Sequence, residues 1–103
     1  MVIKGLETVL KDLDGDELPY KAGKSLTLKI VCSTAILNPF EKEMNVLDKM
    51  KFFTMAQKIN SAKDDVVLTV SEVENLKKAI NFSYGTLVAC IAINLIKKSE
   101  DKE

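Results

Sequence analysis

The chain has 103 residues, of which 47 % are apolar, and its 15 acidic residues balance 15 basic ones. This length accommodates one domain with one hydrophobic core, and the apolar content is well above that of a disordered chain. Every basic residue is lysine, and the sequence contains no histidine, arginine or tryptophan. Without histidine, the chain can use imidazole neither as a catalytic group nor as a metal ligand. Without arginine, it cannot recognise guanine or phosphate through a bidentate guanidinium group.

The first 25 residues predict a β-hairpin, in which residues 8–13 lead into Asp14-Gly15 and residues 16–20 return. Asp-Gly between two extended segments is typical of a tight turn, because glycine adopts positive φ at little cost. The surrounding carboxylates do not match a helix-loop-helix calcium site, which needs glycine at the sixth position, whereas Gly15 is fourth from Asp12. We expect an exposed acidic turn, followed by a loop at residues 22–25.

Two helices are predicted in the middle of the chain. Thr27 is a candidate N-cap for a helix over residues 28–37, where apolar residues recur at helical spacing. Asn38-Pro39 ends this helix and begins a second, because asparagine caps well and proline suits the first helical position. We expect the second helix to span residues 39–60.

The last third of the chain predicts a short extended segment and two more helices. Residues 66–68 are a candidate third strand, and Thr69 with Glu72 forms a capping box before a helix. The expected buried face of this helix comprises Val70, Val73, Leu76 and Ile80. Gly85 interrupts the helical pattern, and residues 86–96 are apolar nearly all round, which predicts the central helix of the core. The expected fold is a single α+β domain over residues 1–98, a hairpin packed on three or four helices, with residues 99–103 a charged disordered tail.

No catalytic residue, cofactor site or metal site is predicted. Cys32 and Cys90 lie far apart in apolar helical patterns, so we expect two buried thiols, with a disulfide or a reactive thiol as the alternatives. The longest apolar run, residues 87–96, is broken only by Asn94 and is about half of the roughly 20 residues that a membrane span requires. No signal-peptide pattern is present at the start, which favours a cytoplasmic protein without a membrane partner.

The second helix carries more apolar side chains than one face can hold. At 100° per residue, Val46, Leu47, Met50 and Phe53 form one face, whereas the opposite face comprises Phe52, Met55, Ala56 and Ile59. One face packs in the core, so the other is covered either by the hairpin or by a partner. The expected partner-interface residues are Phe40, Met44, Met50, Phe52, Phe53 and Met55, since methionine and phenylalanine are favoured at adaptable interfaces.

Two functions follow from this helix. The preferred one is a non-enzymatic protein-interaction module that forms a homo-oligomer through residues 39–60; the zero net charge does little to oppose self-association. The alternative is a single-stranded nucleic-acid accessory factor that uses Lys49, Lys51, Phe52 and Phe53, because basic and aromatic side chains alternate on stacking platforms. Three acidic residues of the same helix, Glu41, Glu43 and Asp48, oppose this alternative.

The order of these elements resembles small proteins of unassigned function encoded by tailed bacteriophages and prophages. The segments that carry the resemblance are residues 10–15, 26–29, 68–72, 77–78 and 84–88. The resemblance implies an accessory role in the cytoplasm of a bacterial host. It transfers no functional residue, because the family has none assigned.

Overall fold

A computed structural model describes residues 2–21, 23–37 and 45–101. In chain order the strands and helices are β1 (Val2–Ile3), β2 (Pro19–Lys21), β3 (Lys24–Ser25), α1 (Leu28–Leu37), α2 (Val46–Ser61), β4 (Val66–Val67), α3 (Val70–Ser83) and α4 (Thr86–Asp101). The predicted α+β class is confirmed: short N-terminal strands pack on four helices.

Helix α1 is the centre of the core. It packs against α2, α3 and α4, and the buried positions along it are Leu28, Val31, Cys32, Ala35 and Ile36. The prediction that the fourth helix is central is therefore wrong. Helix α4 packs on α1, α3 and β1 through one side only, and its opposite side, with Leu87 and Cys90, is exposed.

The N-terminal segment completes the start of α1. The first N–H groups of a helix have no partner within the helix. Here the Leu28 N–H donates to the Thr8 carbonyl at 3.0 Å and the Lys29 N–H to the Leu6 carbonyl at 2.7 Å, while the Thr27 hydroxyl accepts from the Ile30 N–H as predicted. Backbone carbonyls of residues 6 and 8 therefore act as partners for the first N–H groups of α1.

The predicted acidic turn is confirmed. The Asp12 carboxylate accepts from the N–H groups of Asp14 and Asp16 at 2.9 and 3.0 Å, and Gly15 has φ +88°. Lys11 pairs with Glu17 in antiparallel register. The turn is therefore held by one short side chain and one glycine, both local in sequence.

Three leucines anchor this hairpin to the core. Leu18 N–H donates to Leu10 carbonyl, Leu26 N–H to Leu18 carbonyl, and Leu10 N–H to Leu26 carbonyl, at 2.7–2.9 Å. Leu10 and Leu26 are buried, and Leu18 packs beside them. To close this ring of hydrogen bonds, the chain must reverse its direction a second time, between Leu18 and Leu26. Lys24 and Ser25 therefore form β3 against β2, where a loop was expected.

The candidate third strand is present, but it pairs with β1, which precedes the hairpin in the chain. Strand β4 is antiparallel to β1, with Val2 opposite Val67 and Ile3 opposite Val66. Ile3 and Val66 are buried in the core, whereas Val67 is exposed. Because both strands have only two residues, this pairing closes the N-terminus onto the helices and does not widen the hairpin.

Helix α2 is shorter than predicted at its start. Asn45 has extended backbone angles (φ −80°, ψ 172°), and its side chain accepts from the Asp48 N–H as the N-cap. A continuous helix over residues 39–60 is therefore wrong, because a helix cannot pass through an extended residue; residues 38–44 lie outside the described part. The helix ends at Ser61, and the Lys29 ammonium donates to the carbonyl of the next residue, Ala62.

Helix α3 begins with the predicted capping box, in which Thr69 and Glu72 each accept the other's backbone N–H. Its buried residues are Val73, Leu76, Ala79 and Ile80. Val70 is exposed, contrary to the prediction, because it is the first residue of the helix and no neighbouring described element covers it. The interruption at residues 84–85 is confirmed.

Helix α4 continues through Asp101, five residues beyond its predicted end. Ser99 is buried; its hydroxyl accepts from the Lys4 N–H at 3.0 Å and is placed to donate to the Lys4 carbonyl at 3.3 Å. The prediction of a disordered tail is therefore wrong for residues 99–101, because they are helical and Ser99 is bonded to Lys4, near the other end of the chain. Residues 102–103 lie outside the described part.

We expect Thr69→Ala to lower the free energy of unfolding by about 1 kcal/mol, because α3 loses its N-cap. Urea denaturation measures the change. The control is Thr69→Ser, which keeps the hydroxyl and should stay close to wild type. Equal stability of the alanine and serine variants would contradict the capping role.

Ser99→Ala should also destabilise the fold by about 1 kcal/mol, because the Lys4 backbone loses its hydrogen-bond partner. The effect is measured by thermal or urea unfolding. The control is Asn94→Ala, since Asn94 is an exposed residue of the same helix. A Ser99→Ala variant as stable as wild type would show that the end of α4 does not contribute to the fold.

Candidate interaction surface

Helix α2 has one buried and one exposed apolar face. Met55, Ala56 and Ile59 are buried, and Phe52 packs partly buried against them. On the opposite side, four apolar side chains are 55–71 % exposed: Val46, Leu47, Met50 and Phe53. We call these four residues the α2 face; no described residue of the chain covers it.

The α2 face is confined to the first half of the helix. Val46, Met50 and Phe53 are spaced so that they lie on one side, and Leu47 flanks them. The next residues on the same side, Gln57 and Asn60, are polar and exposed. The apolar surface therefore ends after about two turns and has a polar border.

Two cavities flank this face. The first, about 530 Å³, lies between α2 and α3; its apolar lining is Leu47, Met50, Phe52 and Met55. We call it the α2–α3 cavity. The second, about 240 Å³, lies between α1 and α2 and is lined by Leu37, Phe53 and Ala56 among others. Leu37 is also more than half exposed, so apolar surface continues from the α2 face to the end of α1.

The charges around the α2 face differ in how they are balanced. Glu72, at the α2–α3 cavity, lies 3.6 Å from the Lys58 ammonium and also accepts from the Thr69 N–H. Asp48 lies in the first turn of α2, where the positive end of the helix dipole favours a carboxylate. Lys49 and Lys51 are exposed, and neither forms an ion pair with another described residue. Charges of both signs therefore lie beside this face.

The structure separates the predicted interface residues into three groups. Met50 and Phe53 lie on the α2 face; Phe52 and Met55 belong to the core or its edge; Phe40 and Met44 lie outside the described residues. Val46 and Leu47 also belong to the α2 face, as their helical spacing with Met50 predicts, although they are not among the predicted interface residues. Angular position on the helix therefore identifies this surface better than side-chain type.

The predicted nucleic-acid residues are only partly brought together. Lys49, Lys51 and Phe53 reach the surface of the same two turns, whereas Phe52 points to the other side and packs against the core. One aromatic ring, not two, is therefore available to stack on a base.

The two cysteines are in different environments. Cys32 is buried, and burial raises the pKa of its thiol from the ordinary 9.0 to about 12. Cys90 is exposed, so the prediction of two buried thiols is wrong for this residue, which lies on the open side of α4; both thiols are free. Among the described residues, no group of three or more acidic or cysteine side chains is gathered to hold a metal ion.

Comparison of the chain with protein-family models, with curated proteins and with solved structures gives no match. Within the described residues, no helix combines the length and the apolar character needed to cross a bilayer.

We expect iodoacetamide to modify Cys90 in the native protein and to leave Cys32 unmodified until the chain unfolds, because only thiolate reacts and Cys32 stays protonated. Peptide mass mapping measures this, with Cys90→Ser as the unreactive control. Rapid modification of Cys32 in the native protein would contradict the expected difference between the two thiols.

The raised pKa of Cys32 also makes the stability of the fold depend on pH. The protonated thiol contributes fully below pH 9, and this contribution is lost as the pH rises toward 12.

Proposed function

We propose that this protein is a non-enzymatic protein-interaction module that binds a second copy of itself through the α2 face. The observation that supports the proposal is the grouping of four large apolar side chains, each more than half exposed, on two successive turns of one helix. Isolated exposed apolar residues are ordinary on protein surfaces, whereas contiguous ones with a polar border are typical of interaction sites.

The energetics favour a partner for this face. Burying a fully exposed side chain of this kind stabilises a structure by about 1.5–3 kcal/mol. The four side chains of the α2 face are 55–71 % exposed, so each contributes a corresponding fraction of this free energy. Four of them on each of two copies can together offset the free-energy cost of association, which is about 4–15 kcal/mol. The zero net charge of the chain adds no overall repulsion between copies.

Support for a non-enzymatic role comes from the composition, which lacks histidine and arginine, and the described residues contain no group of three or more acidic or cysteine side chains that could hold a metal ion. The accessory role in a bacterial host follows from the resemblance to phage and prophage proteins and stays a prediction. So does the cytoplasmic location.

Sedimentation velocity tests the self-association. Wild type should show a mean mass that rises with concentration between about 5 μM and 500 μM, the range around micromolar affinity. Phe53→Gln should weaken the association by about tenfold or more, because it removes a large ring from the face. The matched control is Phe82→Gln, since Phe82 is 66 % exposed on α3, away from the α2 face.

A strict monomer over the whole range would contradict the proposal, as would equal effects of the two glutamine variants.

The second candidate function is single-stranded nucleic-acid binding. It is supported by Lys49 and Lys51, which are exposed on the same two turns as Phe53 and form no ion pair with another described residue. Fluorescence anisotropy with a labelled oligonucleotide at low salt tests it in the same samples. Tight, salt-sensitive binding that is lost in Lys49→Glu, with no self-association, would favour this second function.

A further inference from the structure

We propose that the second copy presents its own α2 face, so that the two α2 helices pack antiparallel around a two-fold axis that passes beside Met50. This inference rests on the proposed self-association and specifies its geometry. Met50 of one copy then lies beside Met50 of the other, and Val46 of each copy lies beside Phe53 of the other. Because both copies use the same surface, the assembly closes at two copies.

The area of the α2 face argues for a partner surface that is comparably apolar. Burying one fully exposed side chain of this kind removes about 60–120 Å² of apolar surface from water. At 55–71 % exposure, the four residues of the face therefore supply about 150–300 Å². A stable interface buries about 800 Å² on each partner, somewhat more than half of it apolar. The face can thus form the centre of an interface, and the second partner must supply a similar apolar area.

No other described part of the molecule offers an equal set of exposed apolar side chains. Outside α2, no helix or hairpin carries more than two of the large exposed ones. These residues are Leu13 and Tyr20 in the hairpin, Leu37 in α1, Val67 in β4, Val70 and Phe82 in α3, and Leu87 in α4. Two copies therefore bury the most apolar surface when the two α2 faces meet.

The position of the two-fold axis follows from the extent of the face. The axis maps the face onto itself, so the two faces overlap most when the axis passes through the middle. Val46 lies at one end of the face and Phe53 at the other. At 100° per residue, Met50 is nearest the middle, both along the helix and around it. Its unbranched thioether side chain adapts to irregular contacts, which suits it to this position.

The polar second half of α2 favours the antiparallel orientation. Gln57 and Asn60 lie on the same side as the face and are exposed. In an antiparallel pair centred on Met50, these residues extend past the other helix and remain hydrated. A parallel pair would place Gln57 against Gln57 and desolvate both amides. The helix dipoles also oppose the parallel pair, because like ends would lie side by side.

The surface on both sides of the face has room for the border of a second helix. The α2–α3 cavity lies on one side, and the cavity between α1 and α2, lined in part by Leu37 and Phe53, lies on the other. Packing of side chains into these grooves adds Leu37 to the buried apolar surface. Lys49 and Lys51 flank the face on opposite sides, where long side chains can keep their ammonium groups in water.

Disulfide trapping tests which residues meet across the contact. The parent is Cys90→Ser, which leaves the buried Cys32 as the sole thiol, and the oxidant is diamide, which takes up the two electrons and two protons released by two thiols. We expect Met50→Cys to crosslink to itself about tenfold faster than Phe82→Cys, because thiols within a dimer have a high effective concentration. Phe82 is the matched control, since it is 66 % exposed on α3.

The two ends of the face report the orientation. Val46→Cys mixed with Phe53→Cys should form the mixed disulfide dimer, whereas each alone should crosslink no faster than Phe82→Cys. A parallel pair would instead link each variant to itself. Intact-mass spectrometry distinguishes the mixed dimer from the two self-linked ones. Since all the substituted residues are exposed, the variants should fold as wild type, which thermal unfolding checks.

Sedimentation velocity of wild type separates this inference from the proposed function. The mean mass should level off at twice the monomer mass. If wild type associates but Met50→Cys crosslinks no faster than Phe82→Cys, or if species larger than a dimer form, the antiparallel contact is wrong and the self-association stands. Self-linking of Val46→Cys also contradicts this contact. If wild type stays monomeric at every concentration, both proposals are wrong.

Discussion

The structure depends on the packing of α1, of which five residues are buried in the core. Three other helices pack against this ten-residue helix, and its first N–H groups are paired with carbonyls of residues 6 and 8. The N-terminal segment is tied in turn to the link after α2, since the Leu6 and Glu7 N–H groups donate to Asp64. The core therefore forms only when the N-terminus, the middle of the chain and the C-terminal helices are assembled around α1, which favours cooperative folding.

This arrangement leaves two features without a partner inside the molecule. Helix α2 packs on α1 from one side, so its opposite side stays in solvent. The hairpin is anchored by leucines 10, 18 and 26 at its base, and its tip extends beyond them. The first feature is an apolar face with a polar border, and the second is acidic with a protruding leucine. Both result from how a small core is covered, and the proposed function rests on the α2 face.

Several local structures could be predicted because the interactions that form them join residues no more than four apart. Examples are the Thr69–Glu72 capping box, the Asp12–Gly15 turn and the Thr27 cap, which need only a side chain and a nearby backbone group. The two faces of α2 were predictable for a related reason, because angular position on a helix follows from spacing alone. Sequence spacing could not say which of the two faces would be buried, nor that Asn45 would interrupt the expected helix.

By itself, the sequence determined the α+β class, the helix starts at residues 28 and 70, the exposed acidic turn and the absence of histidine chemistry. Only the tertiary structure decided that α1, and not α4, is central, and that Ser99 is buried against Lys4 while Cys90 is exposed. The physical reason is that burial depends on contacts between residues far apart in the chain. Local patterns determine where a helix begins and which sides are apolar, but the packing of all the helices together determines which apolar side remains in water.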